Sequence, residues 1–478
     1  MQQDRPRIPN RIRELTGLSD EEIQSGLPRE VVRQRLQDDL AGRKFAIIHY
    51  ARFEFPFLKS FFDQEIPFQI LCTHEIAKRL YPNLPTRSLR GLAGYFGHSH
   101  EVLKRSVGHV EATKVIWEGL LPELEKIGLI TVEDLKAWLE QKPKSRSKSA
   151  FHYPLKPEIR LQLPKGPGVY RMLNRQGEVL YVGKASSLHM RVNSYFRGRS
   201  GRDPRHLEML TQVYNISISE CRSPLEAALL ETDEIKRLNP PYNVNLIAAD
   251  RELVFFSRDL SSYQNSQDEV HTVGPFSHAL SLDFIRRVWS AIQTQDFSKG
   301  LFFEEFPEEI LKSGFEIFCQ RHQIQPLKLG SIRSLLAWSL ILMRKTRPEL
   351  LEDENDELLP SAQVEAPEED SRTSQETPDD LADKYERHFL RTARALQRTR
   401  QMTRLLNCEI EYELGQEGGK KGFRLLFRDG RRIEGASQKT NTRIPWSGLT
   451  IADYDRMAVL AAEAAKIRNS QSRIQFKR

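Results

Sequence analysis

The sequence predicts a mixed α/β chain of several domains, and three observations carry that expectation. At 478 residues the chain is long enough for about three domains. Residues 166–243 alternate short strand-like apolar runs with stretches of helical spacing. Two abrupt changes of composition, a basic one at 141–149 and an acidic one at 351–380, divide what lies on either side.

The runs YRML and EVLYVG are separated by Asn174-Arg175-Gln176-Gly177, a turn composition. They read as a β-hairpin presenting Tyr170 and Tyr181. SSLHMRVNSYF has helical spacing and sets Arg191 and Tyr195 four apart, on one face. SPLEAALLETDEIKRL begins at Ser223, a good N-cap, with Glu226 three residues on as in a capping box. Leu225, Ala228, Leu229 and Ile235 form the apolar stripe of this helix, and Glu231 stands at its edge. Glu226 is five positions earlier, well round the helix, so the two carboxylates cannot share a site. A lone acid flanked by core residues is partly desolvated and calls for a cation. A metal suits it.

These residues resemble the GIY-YIG nuclease domain, and closely resemble its form at the amino end of UvrC-type excinucleases and in the shorter relative Cho. The phrases PGVYRML, GEVLYVGKA, RVNSYFRG, EAALLE and PPYNVNL stand in the family's order. The resemblance implies a small α/β domain with a three-stranded antiparallel sheet flanked by helices. It makes Glu231 the ligand of one divalent metal, Mg²⁺ or Mn²⁺. It makes Tyr170, Tyr181, Lys184, Arg191, Tyr195 and Asn243 the surrounding active site. Val169 and Val182 replace isoleucines, while His189, Asp233 and Asn239 stand where other residue types are usual.

Phosphodiester hydrolysis needs an activated water and cations that neutralise developing charge. Arg191 suits non-bridging oxygens as a bidentate fork. A tyrosine titrates near ~10 and is a poor base at neutral pH unless a cation lowers it. Lys184, three residues after Tyr181, is read as that cation. Tyr181 is then the preferred general base and Tyr170 the alternative.

Residues 1–140 carry a second resemblance, to the DnaQ-type (DEDDh) 3′–5′ exonuclease with its RNase H-like fold. It rests on LTGLSDEEI, AIIHYARFEFPFL, the run at 70–97 and KRSVGHVEAT. The family's opening strand with its Asp-x-Glu pair is not in the sequence, and Glu54 replaces the aspartate of the second block. Lys104 takes the place of the base histidine and His109 that of a metal aspartate. Two-metal catalysis requires several carboxylates to offset both ions, so this domain is expected to be a truncated, inactive exonuclease.

Hydrophobic residues make up 39% of the chain and charged ones 29%. The longest apolar stretch, LLAWSLILM at 335–343, falls short of a bilayer span. The amino end has no signal-peptide core. The four cysteines (72, 221, 319, 408) lie far apart, against a zinc site or a disulfide framework. A cytoplasmic, nucleoid-associated location follows as the expectation. Residues 351–380 hold twelve acids against Arg372, a net −11, so the other 448 residues of this +7 chain carry +18. Such basicity suits a polyanion.

The expected organisation is the exonuclease-like domain at 1–140, a basic linker at 141–157 and the nuclease at 158–247. A mainly helical extension at 248–346, an acidic disordered linker at 347–381 and a basic C-terminal α+β domain at 382–478 follow. Cys319 stands alone where relatives often carry a cysteine cluster, so no iron–sulfur cluster is expected. Neither the UvrB-binding hairpin nor a second nuclease has a counterpart, which implies a single incision. Residues 386–406 read as a helix with Arg387, Arg391, Arg394 and Arg398 on one face, either a phosphate-tracking stripe or a solvated face. Two strand-like runs, EIEYEL and FRLLFRDG, and a closing helix at 451–468 complete the domain.

The reading is a metal-dependent, structure-selective DNA endonuclease making one incision in excision repair, as Cho-type proteins do. Double-stranded, damaged or distorted DNA is its expected partner, with UvrB or another repair or replication protein beside it and no membrane. The alternatives are a non-catalytic DNA-binding scaffold and a GIY-YIG endonuclease of recombination or mobile elements.

Overall fold

The computed structural model describes residues 18–63, 65–98, 106–141, 151–197, 203–243, 252–297, 301–302, 306–326, 329–345, 377–406, 409–413, 424–428, 431–433, 448–466 and 473–477. Lys104, Arg105, Cys408, most of the basic linker and nearly all of the acidic one lie outside these residues. The chain forms two compact units, Met1–Ala227 with Arg237–Val244, and Ala228–Lys236 with Asn245–Arg478.

The first unit opens with α1 (Asp20–Gln24), α2 (Arg29–Asp39), β1 (Phe45–Ile48), α3 (Ala51–Phe61), β2 (Gln69–Cys72) and α4 (Thr73–Leu80). α5 (Leu89–Tyr95), α6 (Ser106–Lys126) and α7 (Val132–Glu140) follow. β1 and β2 pair in parallel, and Leu71, Ile76, Leu92, Ile116 and Leu120 form the core beneath them. Among the described residues this two-stranded pair is the whole sheet of the segment.

The nuclease block comprises α8 (Pro157–Leu161), β3 (Gly168–Leu173), β4 (Val179–Ala185), α9 (Leu188–Ser194), α10 (Pro204–Gln212), β5 (Asn215–Glu220) and α11 (Pro224–Leu238). The hairpin expected at 168–184 is β3–β4, and β5 adds a third antiparallel strand in the order β4-β3-β5. Tyr170 pairs with Gly183 and Met172 with Tyr181, so these four share one face of the sheet. Tyr170 and Met172 pack in one core with Leu188 and Val192 of α9 and Met209 and Leu210 of α10. At α11 the Ser223 side chain caps the helix as the sequence predicts. Glu226 N–H donates to Ser223 Oγ at 3.1 Å, and the Glu226 carboxylate accepts from Arg222 N–H at 2.8 Å.

In the second unit, β6 (Val254–Phe256), β7 (Tyr263–Gln264) and β8 (Val273–Phe276) form a small antiparallel sheet. It leads to α12 (Asp283–Thr294), α13 (Glu308–His322), α14 (Ile332–Lys345) and α15 (Pro378–Leu405). Here the structure corrects the expected boundaries. α15 begins at Pro378, inside the stretch read as linker, because Thr377 caps it reciprocally with Asp380. Its Leu381, Tyr385 and Phe389 lie in one core with Phe284, Phe315 and Phe318, so the 382 boundary cuts through a shared core. The C-terminal runs become β9 (Glu409–Glu413) and β10 (Arg424–Arg428), joined by β11 (Arg431–Ile433) and β12 (Arg473–Lys477) in the antiparallel order β11-β10-β9-β12. α16 (Ile451–Lys466) is the expected closing helix. It grips the central residues of α11: Lys236 Nζ meets Asp455 at 2.6 Å and Arg456 meets Asp233 at 2.8 Å. Asp233, unusual against the family pattern, thus has a partner within this chain. No helix of the described residues is long and apolar enough to cross a membrane.

Candidate active site

Strand alternation on β3 and β4 and the C-terminal end of α9, which Tyr195 caps, converge on a cluster of three tyrosines. The ring centroids of Tyr170 and Tyr181 lie 6.1 Å apart, those of Tyr170 and Tyr195 6.1 Å, and those of Tyr181 and Tyr195 6.3 Å. The Tyr170 and Tyr195 hydroxyls share a hydrogen bond of 2.9 Å. The Arg191 guanidinium sits 5.2 Å from the centre of the Tyr195 ring. Burial works to lower the proton affinity of Arg191, but the hydroxyls of Tyr195, Tyr170 and Tyr181 outweigh it and raise it. Gly183 makes the cluster possible. A Cβ there would fall 2.4 Å from the Tyr170 hydroxyl and 2.8 Å from Cε1 of Tyr181.

The structure separates the roles that the sequence reading had merged. Tyr170 is fully buried, and burial first, then its tyrosine neighbours, push its pKa well above the ordinary phenol value. It stays protonated and is set aside as the alternative base. Tyr181 is half-buried on the same face. Lys184 pairs with Val169, so β4 presents Lys184 and Tyr181 to opposite faces. The spacing argument that set the lysine's charge beside the Tyr181 hydroxyl therefore fails, because three residues along a strand reverse the face. Asn243 acts as a clasp on β4, an edge strand: Val182 N–H donates to Oδ1 at 2.9 Å and Nδ2 donates to the Val182 carbonyl at 2.9 Å.

Glu231 occupies the third turn of α11, half-buried as its place at the edge of the stripe predicts. Among the described residues no group of three or more His, Cys, Asp or Glu gathers. One carboxylate matches a magnesium-like ion, which keeps most of its waters and takes one or two carboxylates. Arg387 and Arg391 are exposed on α15 and Arg394 and Arg398 half-buried, on the side away from buried Tyr385 and Phe389. Glu54 on α3 and His109 on α6 are both exposed. The sequence reading missed Glu208, Gln212 and Tyr242, whose one signal was the adjacency of Tyr242 to Asn243.

Residues 166–244 match the family model of the UvrC-like GIY-YIG domain, and the chain carries that domain. UvrABC system protein C of Nitrosomonas europaea is 44% identical over 127 residues, 25% of this chain and 20% of its own length. A Mycobacterium tuberculosis protein, whose name proposes a bifunctional exonuclease/endonuclease, is 29% identical over 242 residues, 49% of this chain and 36% of its own. That alignment is longer than the GIY-YIG block and accords with an exonuclease-like segment fused to it. The chain thus spans a fifth to about a third of these relatives. The magnesium-bound GIY-YIG N-terminal endonuclease domain of Thermotoga maritima UvrC is 30% identical, covering 19% of this chain and all of its own, with a TM-score of 0.17.

Proposed function

We propose that this protein is a metal-dependent, structure-selective DNA endonuclease that makes a single phosphodiester incision in excision repair, in the manner of Cho-type proteins. The observation that carries the reading is the part-buried Tyr170–Tyr195 hydroxyl pair with Arg191 against it, on a domain of UvrC-like GIY-YIG type. Glu231 would hold one Mg²⁺ or Mn²⁺. Such a cation, when bound, supplies polarisation of the scissile phosphate and neutralises the leaving oxygen. The chain's own residues do the rest. Arg191 holds a non-bridging oxygen as a planar fork. Tyr181, acting as its phenolate, orients the attacking water and takes its proton, while Tyr170 keeps its own proton and donates. Asn243 fixes β4, and with it Tyr181. Lys184 contributes positive charge from the opposite face of the sheet. The exonuclease-like segment keeps an RNase H-like ancestry without exonuclease turnover. Damaged duplex DNA is the substrate, UvrB a partner, and the cytoplasmic nucleoid the location.

End-labelled damaged duplex, incubated with Mg²⁺ with and without UvrB, tests the reading. Wild type should yield one nick product. Glu231→Gln should abolish it while the duplex dissociation constant stays within a few-fold. Nicking within a few-fold of wild type would remove Glu231 as the metal ligand, and no nicking by wild type under either condition would favour a DNA-binding scaffold.

A further inference from the structure

Within the first unit, the amino-terminal segment and the nuclease block meet along a close-packed polar seam. α5 lies so near α10 that a Cβ on Gly94 would fall 1.9 Å from Oε1 of Gln212. Ser88, the N-cap of α5, donates its hydroxyl to Glu208 Oε2 at 2.6 Å. The Tyr242 hydroxyl donates to Glu208 Oε1 at 3.0 Å and accepts from Gln212 Nε2 at 2.6 Å. Beside this network, Thr86 N–H donates to the Thr211 hydroxyl at 3.3 Å and the Tyr214 hydroxyl donates to the Tyr95 carbonyl at 2.7 Å. At the end of the β3–β4 hairpin, Gln176 Nε2 donates to the Gly97 carbonyl.

The path does not stop at Tyr242. Its N–H donates to the Leu180 carbonyl at 3.1 Å. The next residue, Asn243, holds both polar backbone groups of Val182, which lies between Tyr181 and Gly183. Ser88 is therefore linked through Glu208, Tyr242 and Asn243 to the strand that carries Tyr181. Gln212 and Tyr242 are buried, at 1% and 5% exposure. Buried polar groups of this kind are costly to leave unpaired, so the network has few alternative arrangements. Burial, and then the Glu208 carboxylate, raise the Tyr242 pKa, which keeps its hydroxyl a donor.

We propose that the amino-terminal segment is a positioning element for the nuclease reaction, acting through Ser88, Glu208 and Tyr242 on the register of β4. The proposal rests on the nuclease reading of residues 166–244. A segment without exonuclease turnover would then be kept for the geometry it imposes on its neighbour, since small misplacements of a catalytic side chain carry large rate penalties.

The test uses the full chain and two readouts: hydrogen exchange at the Val182 amide, which reports the Asn243 clasp, and single-turnover nicking of labelled duplex as the DNA concentration is varied. Ser88→Ala and Glu208→Ala should each speed Val182 exchange and lower the maximal nicking rate by about tenfold. The DNA concentration for half-maximal rate should stay within about twofold, and Glu208→Gln should recover part of the loss because its one amide oxygen still accepts from Tyr242 while its amide nitrogen donates to the Ser88 hydroxyl. Unchanged Val182 exchange and unchanged maximal rate in Ser88→Ala, even with a lowered Tm, would reduce the seam to structural adhesive and overturn the proposal. Should Glu208→Ala fail to fold, Ser88→Ala and Tyr242→Phe decide by the same criteria. A wild-type protein that cuts nothing defeats the nuclease reading alone, and Val182 exchange still decides the coupling.

Discussion

At His49 both ring nitrogens are engaged, Nδ1 with the Thr73 hydroxyl at 2.9 Å and Nε2 with the Arg87 carbonyl at 3.0 Å. Burial, followed by the neighbouring His74, lowers its pKa from 6.5 to about 4. The folded state therefore keeps His49 neutral where the unfolded chain already takes up a proton. Its contribution to stability is complete above pH 6.5 and is lost as pH falls toward 4, an effect of up to about 3 kcal/mol. Thermal melts of wild type should show Tm falling across that window, and His49→Gln should flatten the fall. An equal slope in both proteins would show that His49 does not titrate in this way. The same rule of surroundings separates the tyrosines. Tyr170 and Tyr181 are alike in the sequence, but Tyr170 lies fully buried and Tyr181 only partly.

At the scale of elements, α15 combines two jobs that composition alone divided between a linker and a basic domain. Its amino half buries Leu381, Tyr385 and Phe389 in the core of the extension. Arg387, Arg391, Arg394 and Arg398 share the other side, since residues spaced by three, four and seven return to one face. Neutralising Arg391, Arg394 and Arg398 to glutamine should lower the salt slope of duplex binding by up to about three, if each contacts a phosphate. Binding titrations from low to moderate salt measure this directly. An unchanged slope would leave the stripe as a solvated face. The hairpin, the helix bearing Arg191 and the helix bearing Glu231 were legible in the sequence because each has a local signal of turn residues, spacing or cap. β11 and β12 were not, because RRI and RIQFK are short, charged runs whose strand state depends on pairing with β10 and β9.

At the scale of the whole molecule, the amino-terminal segment keeps a core, Leu71, Ile76, Leu92, Ile116 and Leu120, although its sequence departs from the exonuclease pattern at Glu54, Lys104 and His109. Both Glu54 and His109 are exposed. The full chain carrying Glu231→Gln should release no mononucleotides from a labelled single strand with Mg²⁺ or Mn²⁺. Time-dependent release that disappears on adding Glu54→Ala would show a working exonuclease and overturn that expectation.

By itself the sequence determined the GIY-YIG block and the identity of its chemical groups, because motifs of hairpin and helix are written in neighbouring residues. It determined that Arg191 and Tyr195 share a face and that Glu231 sits at the edge of an apolar stripe. Only the tertiary structure decided what those groups can do. Lys184 and Tyr181 part company because a strand reverses face at every residue. Tyr170 loses its claim as a base because burial disfavours the phenolate. Asn243 becomes a clasp because an edge strand leaves the Val182 backbone groups to be paired from outside the sheet. Burial, register and pairing across long stretches of chain are properties of the packed fold, and no local pattern encodes them.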